Sequence, residues 1–592
     1  MKNRLSYLLI VSIALLMCFL PLVSNNADAA SNPSNTLRVG WTSEPDSLSP
    51  FISNRVSTFE LHLLFYDSLV TFDNDLKPVG RLAESWKVSD DNLTWTFNLQ
   101  KDVKWHDGEP FTSQDVKYSY ETFLEANMGM YSDFLKGITS IETPDDLTVV
   151  IKTEKPKANM LYVTAPILPK HIWEEVKSDE LETWPNEKPI GTGAFKFVEW
   201  KKGEFVKLEA NKEYFGGAPK VGELIFPLYA NNDTMVQSLK IAEIDAAINI
   251  NSNQVKLLES EKDFKVLSNP TNAFTNLGIN TWEDKASKGN PLLLNNDIKH
   301  AMSYAIDKQK IIDVAFSGQG KPGSTIVPSF LTDWHNELSD EKNRSYDPDK
   351  AKATLDEAGF TDRDGDGVRE DKDGKPLEFR LYLRSNSPEE VKAGQILHVL
   401  LKDVGIKTNV ETIDDGVLGD RIYDNGDYDL FIWGWSTDID PTTILSIVST
   451  DQIGNLSETY YSNPKYDELL AEQEVTVDFK ERQKIVYEMQ NILAEDLPYI
   501  ILMEENAMQA VRTDKWKGWT PVQGAFFMAA NNFNYLNIEP IEETLSVAAT
   551  NESSEKSTNS WLIWGGLALL IIIVAIAIRA RKRNGIDSFD NM

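Results

Sequence analysis

The chain has 592 residues, 41% of them hydrophobic and 25% charged, a balance typical of folded protein and a length that supports more than one core. Its 59 basic and 91 acidic side chains leave a net charge of −32, which repels phosphate backbones and anionic lipid headgroups and excludes nucleic acid as a partner. The single cysteine, Cys18, lies inside the first apolar run. Once that run is removed, no thiol remains for disulfides, nucleophilic catalysis or metal binding.

In chain order, Lys2 and Arg4 precede an apolar stretch from Leu5 to Leu20, followed by Pro21 and the small residues Ala27-Asp28-Ala29-Ala30. This is the layout of a secretory signal, assigned to residues 1–29. Ser31 to Thr36 reads as a short polar lead-in to a body of about residues 37–540, in which no internal repeat is found. Leu93 to Leu99 alternates apolar and polar residues and Leu147 to Ile151 is β-branched, so both predict strands. Ser113 to Ala126 predicts a helix capped by its first serine, and Asn296 to Ala315 and Lys480 to Glu495 repeat apolar positions every three or four residues. Asp349 to Ala358 predicts a helix that stops at Gly359. The alternation of helices and strands gives a mixed α/β fold.

After the body, Glu542 to Ser560 is rich in Ser, Thr, Asn and Glu and cannot bury enough apolar area to fold, so residues 541–560 read as a tether. Trp561 to Ile578 then runs for 18 residues without a charge. At ~1.5 Å per residue it reaches ~27 Å, enough for a bilayer core. Arg579, Arg581, Lys582 and Arg583 follow at once, which places the tail 579–592 in the cytoplasm and the body outside a single-pass membrane protein.

Three local motifs are specific. The blocks Leu82 to Lys87, Trp95 to Leu99 and Asp102 to Gly108, followed by Phe111-Thr112 and Asp115-Val116, resemble the extracellular solute-binding proteins of the peptide and nickel family of ABC importers. Gly191-Thr-Gly193 with Tyr214-Phe-Gly-Gly217 looks like that family's strand pair and turn, and Ala301 to Ile312 looks like its helix after the hinge. Tyr346-Asp-Pro348 with Ala358-Gly-Phe360, and Tyr428-Asp-Leu430 with Trp433-Gly-Trp435 and Asp440-Pro441, complete the resemblance in the family's order. It implies a large bilobed α/β fold of the periplasmic-binding-protein type that closes around its ligand by hinge motion. By analogy the first lobe combines 37–66, 186–270 and 500–540, an additional domain covers 67–185, and the second lobe covers 271–499. The implied partners are permease subunits and separate ATPase subunits, with the chain a monomer and without an ATP site of its own.

A strand rich in Ile and Trp ends at Asp438, Asp440 and Pro441, which puts acidic groups in a loop at a strand's end. The resemblance implies that Asp438 grips a peptide's α-ammonium, while Trp435, Gly434 and Ser436 line the cleft and their backbone pairs with an extended ligand. Ser43 and Glu44, after the first strand, face the ligand from the other lobe by the same analogy. The alternative for Asp438 is a carboxylate capping a helix that starts near Pro441, and the alternative for the Ser43 loop is a turn set by Pro45. Oligosaccharide, a nickel chelate or haem are the other ligand classes, since many tryptophans and tyrosines could enclose them.

Asp362, Asp364 and Asp366, with Gly367, Val368, Glu370 and Asp373, fall at the spacing of an EF-hand-type calcium loop. Asp373 replaces the usual bidentate Glu, so a glycine-rich hairpin without metal is the alternative. No cofactor is required. His62, His106, His171, His300, His335 and His398 are scattered, and neither a His-Glu-x-x-His nor a Gly-x-Ser-x-Gly motif occurs, which argues against an extracellular hydrolase. A surface receptor that uses the same fold without transport is the remaining class.

Overall fold

The computed structural model of the protein describes residues 35–53, 55–127, 129–520 and 532–541. The expected signal peptide, the polar tether beyond residue 541, the apolar segment 561–578 and the basic tail lie outside the described residues. Among the described residues no helix is long and apolar enough to cross a membrane. The body belongs to one unit that ends at Ile541.

The chain opens with β1 (Thr36–Gly40), one residue into the expected lead-in, and α1 (Val56–Phe65). A small antiparallel sheet follows, formed by β2 (Ala83–Val88), β3 (Thr94–Leu99), β4 (Ile138–Asp145) and β5 (Thr148–Thr153) in the order β2-β3-β5-β4. The helix α2 (Ser113–Ala126) packs on β4 and β5. Then come β6 (Phe195–Lys201), β7 (Phe205–Ala210), β8 (Glu223–Pro227), β9 (Ala246–Ala247) and the long β10 (Phe264–Ile279). The second half contributes α3 (Asn296–Ala305), α4 (Lys308–Ala315), α5 (Pro348–Glu357), β11 (Glu378–Arg384), α6 (Pro388–Lys402), β12 (Lys407–Ile413) and β13 (Leu430–Ser436). It ends with α7 (Thr442–Ser446), α8 (Phe479–Asp496) and β14 (Tyr499–Arg512).

One sheet of ten strands, ordered β12-β11-β13-β10-β14-β9-β1-β8-β7-β6, runs through the whole body. The paired strands β10 and β14 divide it into lobes. At one end of the β10/β14 pair, Leu267 and Val511 belong to a core shared with Leu37, Phe65, Trp95 and Leu224. At the other end, Leu277, Ile500 and Leu502 belong to a core with Leu381, Leu397 and Ile432. Between them the register slips at Pro270/Phe274. Pro270 has no N–H to give to a ladder, so the break falls where a strand loses least. The opposite face of the second lobe's sheet carries a third core around Phe274, Phe431, Tyr382 and Val486. With both faces covered, the start of β13 can be an unbroken apolar run.

Several local expectations shift for identifiable reasons. The cap of α2 is Thr112 rather than Ser113: Thr112 closes a capping box with Asp115, while the Ser113 hydroxyl donates to the Asp145 carbonyl at 2.6 Å. The expected single helix from Asn296 to Ala315 is two, because Ile306 is extended and the Asp307 side chain accepts from the Lys310 N–H to start a new helix. The Gly191–Gly193 stretch is a loop rather than a strand. It passes directly over the end of α1, where Gly193 N–H donates to the Phe65 carbonyl at 3.1 Å. A Cβ at Gly191 would run into that same carbonyl oxygen. Tyr214 to Gly217 is a turn as expected, with Gly217 at φ 100°.

This close approach gives a direct test. Gly191→Ala forces backbone against backbone, so it should destabilise the protein by about 1–3 kcal/mol, read as a lower urea midpoint at unchanged slope. An unchanged midpoint would mean that the loop and α1 separate without cost.

Candidate functional site

The strand β13 begins as an interior strand and ends as an edge. Leu430 and Phe431 pair with β11 on one side, and the whole strand pairs with β10 on the other, out to Ala273 opposite Ser436. Beyond Phe431 no pairing with β11 continues, so the backbone from Trp433 to Ser436 keeps one edge without a strand partner among the described residues. An edge of this kind is a template for an added strand. Trp433 and Trp435 share a face and are both half-buried. The Trp435 Nε1–H donates to Glu458 at 2.8 Å, and the Arg384 guanidinium lies 4.6 Å from the centre of the Trp433 ring. Arg384 also pairs with Glu390 and Asp415. Glu458 is fully buried and also accepts the hydroxyls of Tyr423 at 2.8 Å and Tyr499 at 3.0 Å. Burial pushes its carboxyl up to about 7, against the pull of those donors.

The loop after β13 holds two carboxylates with different environments. Asp440 is buried and bound by both nitrogens of the Arg482 fork, at 2.6 and 2.9 Å. Burial opposes its charge, but Arg482 and Thr442 outweigh burial and hold the carboxyl below its usual range. Asp438 forms no ion pair among the described residues; its Oδ2 accepts the Thr443 hydroxyl at 3.0 Å. Burial raises the Asp438 carboxyl and the nearby Asp440 adds to the shift, with Thr443 opposing. Asp438 thus touches α7 only through a hydroxyl, while the Thr442 backbone N–H donates to Asp440 at 3.0 Å, and the charge of Asp438 is left without a cation.

The first lobe meets this strand end at a cavity of about 460 Å³. Its walls include Ser43 from the loop after β1, Ser57 and Glu60 from α1, Thr271 to Ala273 from β10, and Glu505 to Met508 from β14. Ser43 is thus brought to the hinge. Glu44 is not among the wall residues: its carboxylate accepts from Trp200 Nε1–H at 3.1 Å and Gly203 N–H at 2.6 Å, which ties it to the β6/β7 hairpin. Glu60 and Glu505 escaped the sequence reading. Glu60 sits in an apolar helix, where a lone acidic residue reads as the solvent side, and only the tertiary fold turns it inward.

Asp362, Asp364, Asp366 and Glu370 bring oxygens within 4.8 Å of one another. That spacing fits oxygens around one calcium ion at ~2.3–2.6 Å. Gly367 takes φ 89° at the sharp turn such a loop needs. Among the acidic residues expected, Asp373 is not in the gathered set. The histidines form no such group among the described residues. His62 lies between the Tyr131 hydroxyl and the Leu48 carbonyl, each at 3.2 Å, and burial pulls it down to about 4. His106 spans Gly193 O at 2.9 Å and Gly191 N–H at 3.2 Å, supporting the loop over α1.

The model of the middle region of the bacterial extracellular solute-binding proteins, family 5, matches residues 77–455. The oligopeptide-binding protein AppA of Bacillus subtilis is 28% identical over 530 residues, covering 86% of this chain and 95% of that protein. The structure of AppA in complex with a nonapeptide is similar at a TM-score of 0.64 and 25% identity, over 86% of this chain and 99% of that one. NikZ from Campylobacter jejuni, in complex with Ni(L-His), is similar at a TM-score of 0.67 and 26% identity, over 85% of this chain and all of that one.

Glu60 makes the cavity sensitive to pH. Burial raises its carboxyl to about 8 from the ordinary 4.5, so between those values the folded protein holds a proton that the unfolded chain has released. Stability therefore falls as pH rises through this window. Glu60→Gln removes the effect: the melting temperature of the ligand-free variant, minus that of the parent, should be near zero at pH 4.5 and grow up to about pH 8. A difference that does not change with pH would show that Glu60 is ionised in the fold throughout.

Proposed function

Because the chain belongs to the bacterial extracellular solute-binding proteins of family 5, we propose that it is the extracellular binding component of an ABC importer, which traps a short peptide between its lobes and delivers it to permease subunits powered by separate ATPases. The observation that carries the peptide reading lies at the end of β13, where an open backbone edge leads into a half-buried carboxylate with no cation. An extended peptide adds to the edge as a strand, and its α-ammonium meets Asp438 in a charge-assisted hydrogen bond. Main-chain pairing reads no side chain, so the site tolerates many sequences while fixing the amino terminus. The nonapeptide held by AppA supports this reading. A nickel chelate such as that held by NikZ is the second reading, since its amino-acid part also carries an amino group. The apolar segment 561–578 and the basic residues after it support a membrane tether, which would keep the body near its permease and raise its effective concentration there.

Asp438→Asn should weaken binding of a peptide with a free amino terminus by about 10- to 100-fold and leave an N-acetylated peptide unaffected, as measured by calorimetry. Equal loss for both peptides would take the ammonium away from Asp438. Native mass spectrometry of the purified chain checks the ligand class independently: released peptides of narrow length range support the reading, and a metal chelate or sugar overturns it.

We also propose that the Asp362, Asp364, Asp366 and Glu370 loop holds a structural calcium ion. Calcium should raise the melting temperature in a saturable way and Asp366→Asn should abolish the rise. A temperature indifferent to calcium and chelator would leave the loop a bare hairpin.

A further inference from the structure

The hinge cavity contains more unsatisfied polarity than a structural void would. Glu60 is only 5% exposed, yet it accepts no hydrogen bond and forms no ion pair among the described residues. Beside it in the cavity wall, Ser57 Oγ and Asn272 Oδ1 are enclosed and have no hydrogen-bond partner among the described residues. Buried polar groups in folded proteins are almost always satisfied, so a buried carboxyl with no partner among the described residues points to a ligand group. The cavity also holds Glu505, whose carboxylate accepts the Thr275 hydroxyl at 2.9 Å and forms no ion pair among the described residues. The cation that acts on Glu505, Arg384, is itself held by Glu390 and Asp415, and Glu390 adds further negative charge. On the other side, the buried Tyr535 lies close enough to Glu60 to feel its charge and supplies no cation. The remaining walls are largely apolar, with Trp41, Val56, Ile248, Ile250 and Met508 among them.

Two carboxyls among largely apolar walls match one kind of group: an aliphatic stem ending in a cation. The volume of about 460 Å³ lies within the range of small-ligand sites. The cavity adjoins the ligand path already described. Ser43 is in its wall, and Asn272, also in the wall, exchanges hydrogen bonds with Thr437 beside Asp438, at 2.9 and 2.6 Å. We propose that the cavity is a side-chain subsite for a basic residue of the bound peptide, with Glu60 and Glu505 as the anionic partners of its ammonium or guanidinium. This assignment rests on the peptide reading above and adds to it the class of side chain preferred at one position. In the empty cavity burial keeps Glu60 protonated at neutral pH. A cation entering there ionises it, so binding of a basic peptide expels a proton.

The test uses the full chain and alanine pentapeptides carrying either one lysine or one norleucine, placed in turn at each position. Norleucine keeps the stem and removes the charge. At one position lysine should bind about 10- to 100-fold tighter than norleucine. Calorimetry in phosphate and in Tris should show proton release for that lysine peptide only. Glu60→Gln should bring the lysine-to-norleucine ratio toward one and abolish the proton release, and Glu505→Gln, a second variant in case the first folds poorly, should lower the ratio too. A ratio near one at every position in the parent protein overturns the subsite while leaving the peptide reading intact. A ratio that survives both substitutions overturns the roles of the two carboxyls. If no pentapeptide binds at all, the peptide reading and the subsite fail together.

Discussion

The long ladder between β10 and β14, shifted in register at Pro270/Phe274 and Thr275/Asn276, constrains everything else in the body. Two strands that remain paired from Phe264 opposite Arg512 to Gly278 opposite Tyr499 cannot come apart without giving up a row of hydrogen bonds. The lobes they join can therefore move only by bending the pair, and bending is cheapest where the register already slips, at Pro270/Phe274. The cavity is built on that spot, from Thr271 to Ala273 on one strand and Glu505 to Met508 on the other. Any group that enters touches the residues on which the lobes pivot. Binding and closure are thereby coupled by adjacency, with no need for a relay across the molecule.

A second consequence of the same geometry is the division of labour between Asp438 and Asp440. They lie two residues apart on one loop, and from composition alone they are equivalent. The fold assigns them opposite roles by placing Arg482 of α8 against only one of them. The Arg482 fork neutralises Asp440 and, with Thr442 and Gln473, builds a buried network that fixes the start of α7. The guanidinium also lies 4.8 Å from the centre of the Trp334 ring. Asp438 is then presented by a rigid loop with its charge uncompensated. A carboxylate in this state is costly to keep ionised until a cation arrives, and that cost makes it selective.

Much of this was legible in the sequence because it is encoded locally. The strand ending in Trp433-Gly-Trp435, the acidic loop after it and the calcium-type spacing from Asp362 to Asp373 each place their residues within a few positions of one another, so the chain itself brings them to notice. What the sequence hid depends on distant contacts. The break at Ile306 splits a helical period that is otherwise unbroken. The Gly191–Gly193 loop is shaped by the Phe65 carbonyl, more than a hundred residues away in the chain. Glu44 looks like a cleft residue until the β6/β7 hairpin claims its carboxylate. Glu60 and Glu505 lie on a helix and a strand with no motif in common, and only the sheet order that puts β14 next to β9, with β1 beyond it, brings them to one cavity.

The two carboxyls in that cavity also bear on how binding is coupled to closure. In the present arrangement the lobes touch away from the hinge as well: Lys77 pairs with Asp333, and the Ala158 N–H donates to the Glu474 carbonyl at 3.0 Å. These contacts favour closure whether or not ligand is present. Glu60 and Glu505 act the other way, since a buried carboxyl without a cation is costly to ionise, a cost that opening the cleft to water relieves. A ligand that satisfies those groups removes the penalty only from the closed form. Under the proposed subsite, a cation beside those carboxyls binds the closed form more tightly than the open one, which is the condition a population shift on binding requires.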